Sequence, residues 1–183
     1  ARAASPMPPR EVIEILDDDD EWLPSKLEKQ VRLIRSLPEK VGMVYCWLEY
    51  FDDRTDQKIR EWRPARRGDV FLDTLAAPTV GGAPSMLIRK QVIDTIGGWD
   101  DTINLGADWQ FSMKLTRHYE VDFVPEILVR IHVNHEYNRM SLVNTDSLSK
   151  KDLIIYLQKI LDTYRDEFTK YPAKKAVHIY AMG

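Results

Sequence analysis

Three features of the chain predict an α/β domain. A β-branched run ends in a block of aspartates and leads directly into an amphipathic helix. A second apolar run is dense in Val, Tyr and Trp. The C-terminal half then alternates short strand-like runs with helical periodicities.

Residues 1–10 are rich in Ala and Pro and carry no usable period. Glu11 to Leu16 reads as a short strand, and Asp17-Asp18-Asp19-Asp20-Glu21 reads as an acidic loop closing it. Pro24 suits a first helical turn, and Leu23, Leu27, Val31 and Ile34 recur at helical spacing as far as Pro38. Val41 to Phe51 is a second strand. Residues 52–68 are charged and predict a loop or irregular hairpin, and Asp69 to Leu75 a short helix. Ala83 to Ile88 reads as a small strand after Gly81-Gly82. Lys90 to Ile96 is a helix stopped by Gly97-Gly98. Ala107 to Arg117 is a further helix, followed by strands Val121 to Val124 and Ile127 to Val133, split by Pro125. Ser149 to Phe168 is the longest predicted helix. Its stripe is Leu153, Ile154, Leu157, Ile160, Leu161, Tyr164 and Phe168.

Composition removes several function classes. A net charge of −3 gives no basic field for nucleic acid. Arg63, Arg66 and Arg67 form the densest basic cluster, a solvated loop or a contact to a phosphate or anionic acceptor. Cys46 is the only cysteine, so no internal disulfide forms, and its apolar run predicts a buried, inert thiol. No apolar stretch reaches about 18 residues, and the N-terminus lacks a signal-peptide core. A cytoplasmic protein is expected, at the inner membrane face if it meets a membrane.

The aspartate block calls for a physical reason. Two carboxylates ~5 Å apart repel by roughly 3 kcal/mol at an effective dielectric near 20. Such a block therefore either points into water or surrounds a cation. The carboxyl ends of strands in open α/β sheets are where ligands bind. A divalent ion there takes oxygen ligands and keeps positions open for phosphates. An exposed turn in which Asp20 helps start the next helix is the plain alternative. An EF-hand loop fails because Trp22 stands where Gly is needed. A nucleophilic aspartate of a phosphotransferase lacks its expected following hydroxyl residue.

The segment Leu16-Asp-Asp-Asp-Asp-Glu-Trp-Leu-Pro-Ser-Lys-Leu-Glu-Lys-Gln30 resembles the DXD segment of glycosyltransferase family 2. Val41-Gly-Met-Val-Tyr45, Pro84-Ser-Met-Leu-Ile-Arg-Lys90, Ile96-Gly-Gly-Trp-Asp-Asp101, Gly106-Ala-Asp-Trp-Gln-Phe111 and Glu126-Ile-Leu-Val-Arg130 resemble its later motifs in the same order. The likeness covers roughly residues 11–145. It implies an α/β, GT-A-like mixed sheet flanked by helices and truncated at the N-terminus. Residues 1–146 would be a partial catalytic domain, carrying the DXD and acceptor side, and 147–183 a C-terminal helix and tail.

The implied activity is metal-dependent, inverting transfer of a sugar from a nucleotide diphospho-sugar to an acceptor hydroxyl, of a hexosyltransferase-like kind. Polysaccharide biosynthesis is the implied setting, with a saccharide or glycolipid as acceptor. Asp17, Asp18 and Asp19 would face the nucleotide-sugar. Asp19 would hold Mn²⁺ or Mg²⁺, and Asp108 would act as general base. Trp99, Asp100 and Gly82 would line the acceptor side, while Trp109 is expected in the core. His132 or His135 would match a late His near the diphosphate.

Two departures stand out. Ala107 replaces a Glu found in many members, and the usual nucleotide-binding half does not precede Leu16. The isolated chain is therefore expected to be weak or inactive. A non-catalytic remnant or binding module is the second reading, and an acidic-loop phosphotransferase the third. The long C-terminal helix is expected to pack on the domain, pair with a second chain, or use Lys150, Lys151, Lys159 and Arg165 on a membrane surface.

Overall fold

A computed structural model describes residues 11–100, 106–134 and 150–182. Among them, six strands form one mixed sheet: β1 (Val12–Glu14), β2 (Asp20–Trp22), β3 (Val41–Asp52), β4 (Gln57–Trp62), β5 (Leu87–Arg89) and β6 (Glu120–Val133). The order is β1-β5-β3-β6-β2, with β4 also pairing to β3. Only β3 and β6 run parallel; the other pairs are antiparallel. The helices are α1 (Lys26–Ser36), α2 (Phe71–Ala76), α3 (Lys90–Ile96), α4 (Ala107–Thr116), α5 (Lys150–Thr163), α6 (Arg165–Lys170) and α7 (Pro172–Met182), with a 3-10 turn at Ala83–Ser85. The result is a mixed α/β sheet flanked by helices.

β3 is the spine of the sheet. Its residues 41–46 are all buried, which explains the continuous rather than alternating apolar run. One side pairs with β6 along the whole length. The other pairs with β5 at Met43 and Val44 and with β4 from Leu48 to Asp52. A gap is left opposite Tyr45 to Trp47, between the end of β4 and the start of β5. The Gly81–Ser85 turn leads into β5 beside that gap, and it positions the site described below.

Met43, Tyr45, Val92, Phe111, Leu115 and Phe123 pack α3 and α4 onto one core layer. Ile34, Val41, Val44 and Leu87 hold α1 on another. The C-terminal carbonyls of α1 are satisfied by Arg89, whose guanidinium donates to Ile34 O at 2.6 Å and Leu37 O at 3.1 Å. Cys46 is fully buried, and burial pushes its thiol up to about 12, so the expected inert thiol is what the fold contains.

Several expected elements take a different form. The acidic run is not all loop: Asp20 to Trp22 forms β2, whose backbone is taken up by β6 at Ile131, Arg130 and Val129. The inward stripe of α1 is Lys26, Gln30 and Ile34, while Leu27 is 49% exposed; an ion pair to Glu14 draws Lys26 inward. Ala83–Ser85 is a 3-10 turn rather than the start of a strand. The two strands around Pro125 are one, because Pro125 and Glu126 bulge out between the Cys46–Val124 and Trp47–Ile127 pairs. The longest predicted helix breaks at Tyr164, and the tail is helix α7.

Helices α5 to α7 share one buried cluster with α2 and α4, built on Leu75, Met113, Leu157, Ile160, Tyr164 and Phe168. Gly106 precedes the first residue of α4 at φ 64°, and a Cβ there would lie 2.4 Å from the Tyr156 hydroxyl, so both backbone and packing require glycine. Among the described residues no helix is long and apolar enough to cross a membrane.

His178 fastens α7 to this cluster. Its ring lies 5.5 Å from Trp109 in a stacked arrangement, and Nε2 is 2.7 Å from the Leu75 carbonyl at the end of α2. Burial holds its pKa below the ordinary 6.5. The unfolded chain therefore takes up the proton first on acidification. The stability contributed by neutral His178 is complete above 6.5 and is lost as pH falls toward the depressed folded value. The melting temperature is expected to drop between about pH 7 and about pH 5, and less steeply in His178→Gln. Identical slopes for the two proteins would assign the acid sensitivity elsewhere.

Candidate active site

The first corner is acidic. Asp20 N donates to Asp17 O at 3.2 Å, folding the run into a tight turn before β2 begins. The turn gathers Asp17, Asp19 and Asp20, each offering a carboxylate oxygen within 4.8 Å of the others. Asp18 lies outside this group and is exposed. Asp20, not among the residues expected to face the nucleotide-sugar or the ion, lies inside it. Three convergent hard oxygen donors fit an oxygen-seeking divalent cation such as Mg²⁺ or Mn²⁺ and leave coordination positions open.

Beneath this loop lies a buried ion pair. Lys26 Nζ is 3.2 Å from Glu14 Oε2, with side chains 1% and 7% exposed, and it sits 4.2 Å from the centre of the Trp22 ring. The two residues flank the acidic run, so the pair closes the loop at its base. Burial holds the Glu14 carboxyl above, and the Lys26 amine below, its usual value.

The second corner is built around Asp108, in the first turn of α4 and half-buried. Its Oδ2 accepts from Ala83 N at 2.9 Å, and its Oδ1 lies 3.4 Å from Trp99 Nε1. Trp99 stacks on Phe111 with ring centres 3.9 Å apart, which fixes one of its faces. Gly82 lies beside Asp108: a Cβ there would be 3.7 Å from Oδ2 and 4.0 Å from the Trp62 ring. Gly81 admits no side chain, since a Cβ would meet Ser85 Oγ at 1.9 Å.

One turn joins the two corners. Trp22 Nε1, at the end of β2, donates to Pro84 O at 2.9 Å, while Asp108 accepts from Ala83 N. Gln30 donates to Ser85 O at 2.8 Å from below. The acidic strand and Asp108 thus both grip the Gly82–Ser85 turn, at the adjacent residues Pro84 and Ala83.

The remaining expected residues are placed as follows. Asp100 is exposed and 3.5 Å from Lys159 Nζ. Trp109 packs in the helical cluster and donates to Thr74 O at 2.6 Å. His132 lies at the end of β6 with Nδ1 2.7 Å from Asp53 and Nε2 3.6 Å from Glu21, bracketed by two carboxylates next to the acidic strand. His135 and Asp101 lie outside the described residues. Trp62 was missed in the sequence, although a lone Trp in a charged segment was a usable signal.

Comparison with known proteins points to one class. The chain is 23% identical over 143 residues to an uncharacterized glycosyltransferase of Methanocaldococcus jannaschii, covering 74% of this chain and 47% of that protein. It is 25% identical over 133 residues to one of Rickettsia typhi, covering 70% and 42% respectively. It is 26% identical over 147 residues to one of Haemophilus influenzae, covering 79% and 48%. No protein family's sequence profile matches the chain. The chain spans less than half the length of these curated relatives. Each of these relatives is named a glycosyltransferase, at 23–26% identity to this chain.

Proposed function

We propose that this chain is the cation-binding and acceptor-side part of a GT-A-type glycosyltransferase of family 2. It would act in transfer of a sugar from a nucleotide diphospho-sugar to an acceptor hydroxyl. The observation that carries the reading is the shared Gly82–Ser85 turn, gripped by Trp22 of the acidic strand and by Asp108 of α4. Asp17, Asp19 and Asp20 are the residues to hold Mn²⁺ or Mg²⁺. Such an ion, when bound, neutralises charge on a departing diphosphate. Asp108, oriented by two donors, is the residue to take the acceptor proton. Attack from the side opposite the leaving group gives inversion. Trp62, Gly82 and Trp99 would form the acceptor wall.

Metal titration tests the first corner directly. Asp17→Asn, Asp19→Asn and Asp20→Asn are each expected to weaken Mn²⁺ binding at least about tenfold, as loss of a charged ligand does. Asp18→Asn is expected to leave it unchanged. A nucleoside diphosphate at about 100 times its dissociation constant should then stabilise the complete protein by about 2.7 kcal/mol, and only with the divalent ion present. An equal melting shift in EDTA would end the metal-dependent reading.

A further inference from the structure

The hairpin arm beside the Asp108 corner carries charge opposite to the rest of the chain. Residues 57–67 hold five cations, Lys58, Arg60, Arg63, Arg66 and Arg67, and one carboxylate, Glu61, in a chain of net charge −3. Three of the four arginines, all but Arg66, lie over aromatic rings. The Arg60 guanidinium lies 3.9 Å from the centre of Tyr50, Arg63 5.1 Å from Trp47, and Arg67 4.6 Å from Phe123. A guanidinium stacked by its face keeps its in-plane N–H donors directed outward.

The backbone beneath is fixed to the sheet. Trp47 Nε1 donates to Pro64 O at 2.9 Å, the Tyr45 hydroxyl donates to Arg66 O at 2.6 Å, and Gly68 exchanges backbone hydrogen bonds of 2.7 and 3.0 Å with Val121. Arg63, Arg66 and Arg67 each have a carboxylate in ion-pair range, and two of these carboxylates are shared with a second cation. Glu61 serves both Lys58 and Arg63, Asp73 serves both Arg66 and Lys174, and the Arg66–Asp73 and Arg67–Asp122 contacts are 3.5 Å. Arg63, Arg66 and Arg67 remain 54%, 59% and 61% exposed. Trp62 lies in this ridge, and its Cζ3 edge would be 4.0 Å from a Cβ at Gly82, the residue beside Asp108.

We propose that the acceptor is anionic, and that Arg63 and Arg66 bind a phosphate it carries while Trp62 lies against the sugar presented to Asp108. The assignment rests on the transferase reading of the Asp108 corner. It adds a substrate class that the acidic corner does not specify: a phosphorylated saccharide, bound without a divalent ion. Planar guanidinium donors in a held loop suit a phosphate better than a neutral hydroxyl group does.

Tryptophan fluorescence reads this site, because Trp47 lies under Arg63 and Trp62 precedes it. In EDTA, glucose 6-phosphate is expected to bind at least about tenfold more tightly than glucose, as hydrogen bonds to a charged group allow. Arg63→Gln and Arg66→Gln should each remove most of that preference with unchanged far-ultraviolet circular dichroism. Arg32→Gln, a remote exposed arginine on α1, should not. Equal binding of the two sugars, or full preference in both arginine variants, overturns the proposal. So does arginine-dependent sedimentation with phosphatidylglycerol vesicles alongside weak sugar phosphate binding, which would make the ridge a lipid-surface contact. The metal-dependent nucleotide shift is measured separately, so failure of the ridge and failure of the transferase reading give different patterns.

Discussion

Lys26→Met is expected to remove about 3–5 kcal/mol from the unfolding free energy, as breaking one half of a buried ion pair does. At about 2–4 °C per kcal/mol for a chain of this size, the melting temperature should fall by roughly 10 °C. Lys26 is 1% exposed and its partner Glu14 7%, and burial shifts both groups toward their neutral forms. Taking the amine away strands a carboxylate that is 7% exposed and has Lys26 as its ion-pair partner. Glu14→Gln combined with Lys26→Met removes both charges and should recover most of the loss.

The sign with pH is definite. A carboxyl whose folded pKa is raised is unfavourable above that value and harmless below the unfolded one. The single variant's deficit should therefore shrink as pH falls through the raised Glu14 value toward 4.5. A deficit below about 1 kcal/mol at neutral pH would show that the pair is dispensable. The same experiment bears on function, because the pair closes the base of the loop that gathers Asp17, Asp19 and Asp20. Metal affinity should fall along with stability.

Much of this architecture was legible because period and punctuation agree. Lys90 to Ile96 was read residue for residue, since its apolar spacing ends at Gly97, which takes φ 78° at the helix end. β3 was read from an uninterrupted Val, Tyr and Trp run. What was not legible follows from residues that pack against their type. On α1 the inward positions include Lys26 and Gln30, so a stripe drawn through Leu27 was rotated by about one residue. On α7 the inward face is Lys174, His178 and Met182, while Val177, Ile179 and Tyr180 point outward. An apolar period there predicts nothing useful. β2 was hidden because an Asp-Glu-Trp strand contradicts strand propensity, and pairing to β6 overrides it.

The candidate site shows the same division. The aspartate block was visible as a charge run, but which three carboxylates converge depends on the turn closed by Asp20 N and Asp17 O. Asp108 was visible through a resemblance of sequence motifs. Its hydrogen bond to Ala83 comes from the fold alone, since the partners are 25 residues apart. Trp62 could not be tied to Gly82 before the gap between β4 and β5 was known.

Asp108→Asn is the variant expected to cost most in turnover. In the complete protein kcat should fall about 10²–10⁴-fold, the usual span for losing a positioned general base. Asparagine preserves shape and can still accept from Ala83 N, so the Gly82–Ser85 turn should survive and the melting temperature change little. The KM for the acceptor should stay within a few-fold, because Trp62 is untouched and only the long 3.4 Å contact to Trp99 is given up. Asp94→Asn, exposed on α3 and paired with Lys90, should change neither constant. The split between the two constants separates chemistry from scaffolding. A base acts only as the acceptor oxygen attacks, so its removal appears in kcat. A carboxylate that merely fastened the turn would instead show a lower melting temperature and a raised KM with kcat nearly intact. That second pattern would leave Asp108 as a clamp on the turn and remove the proton acceptor from the proposed reaction.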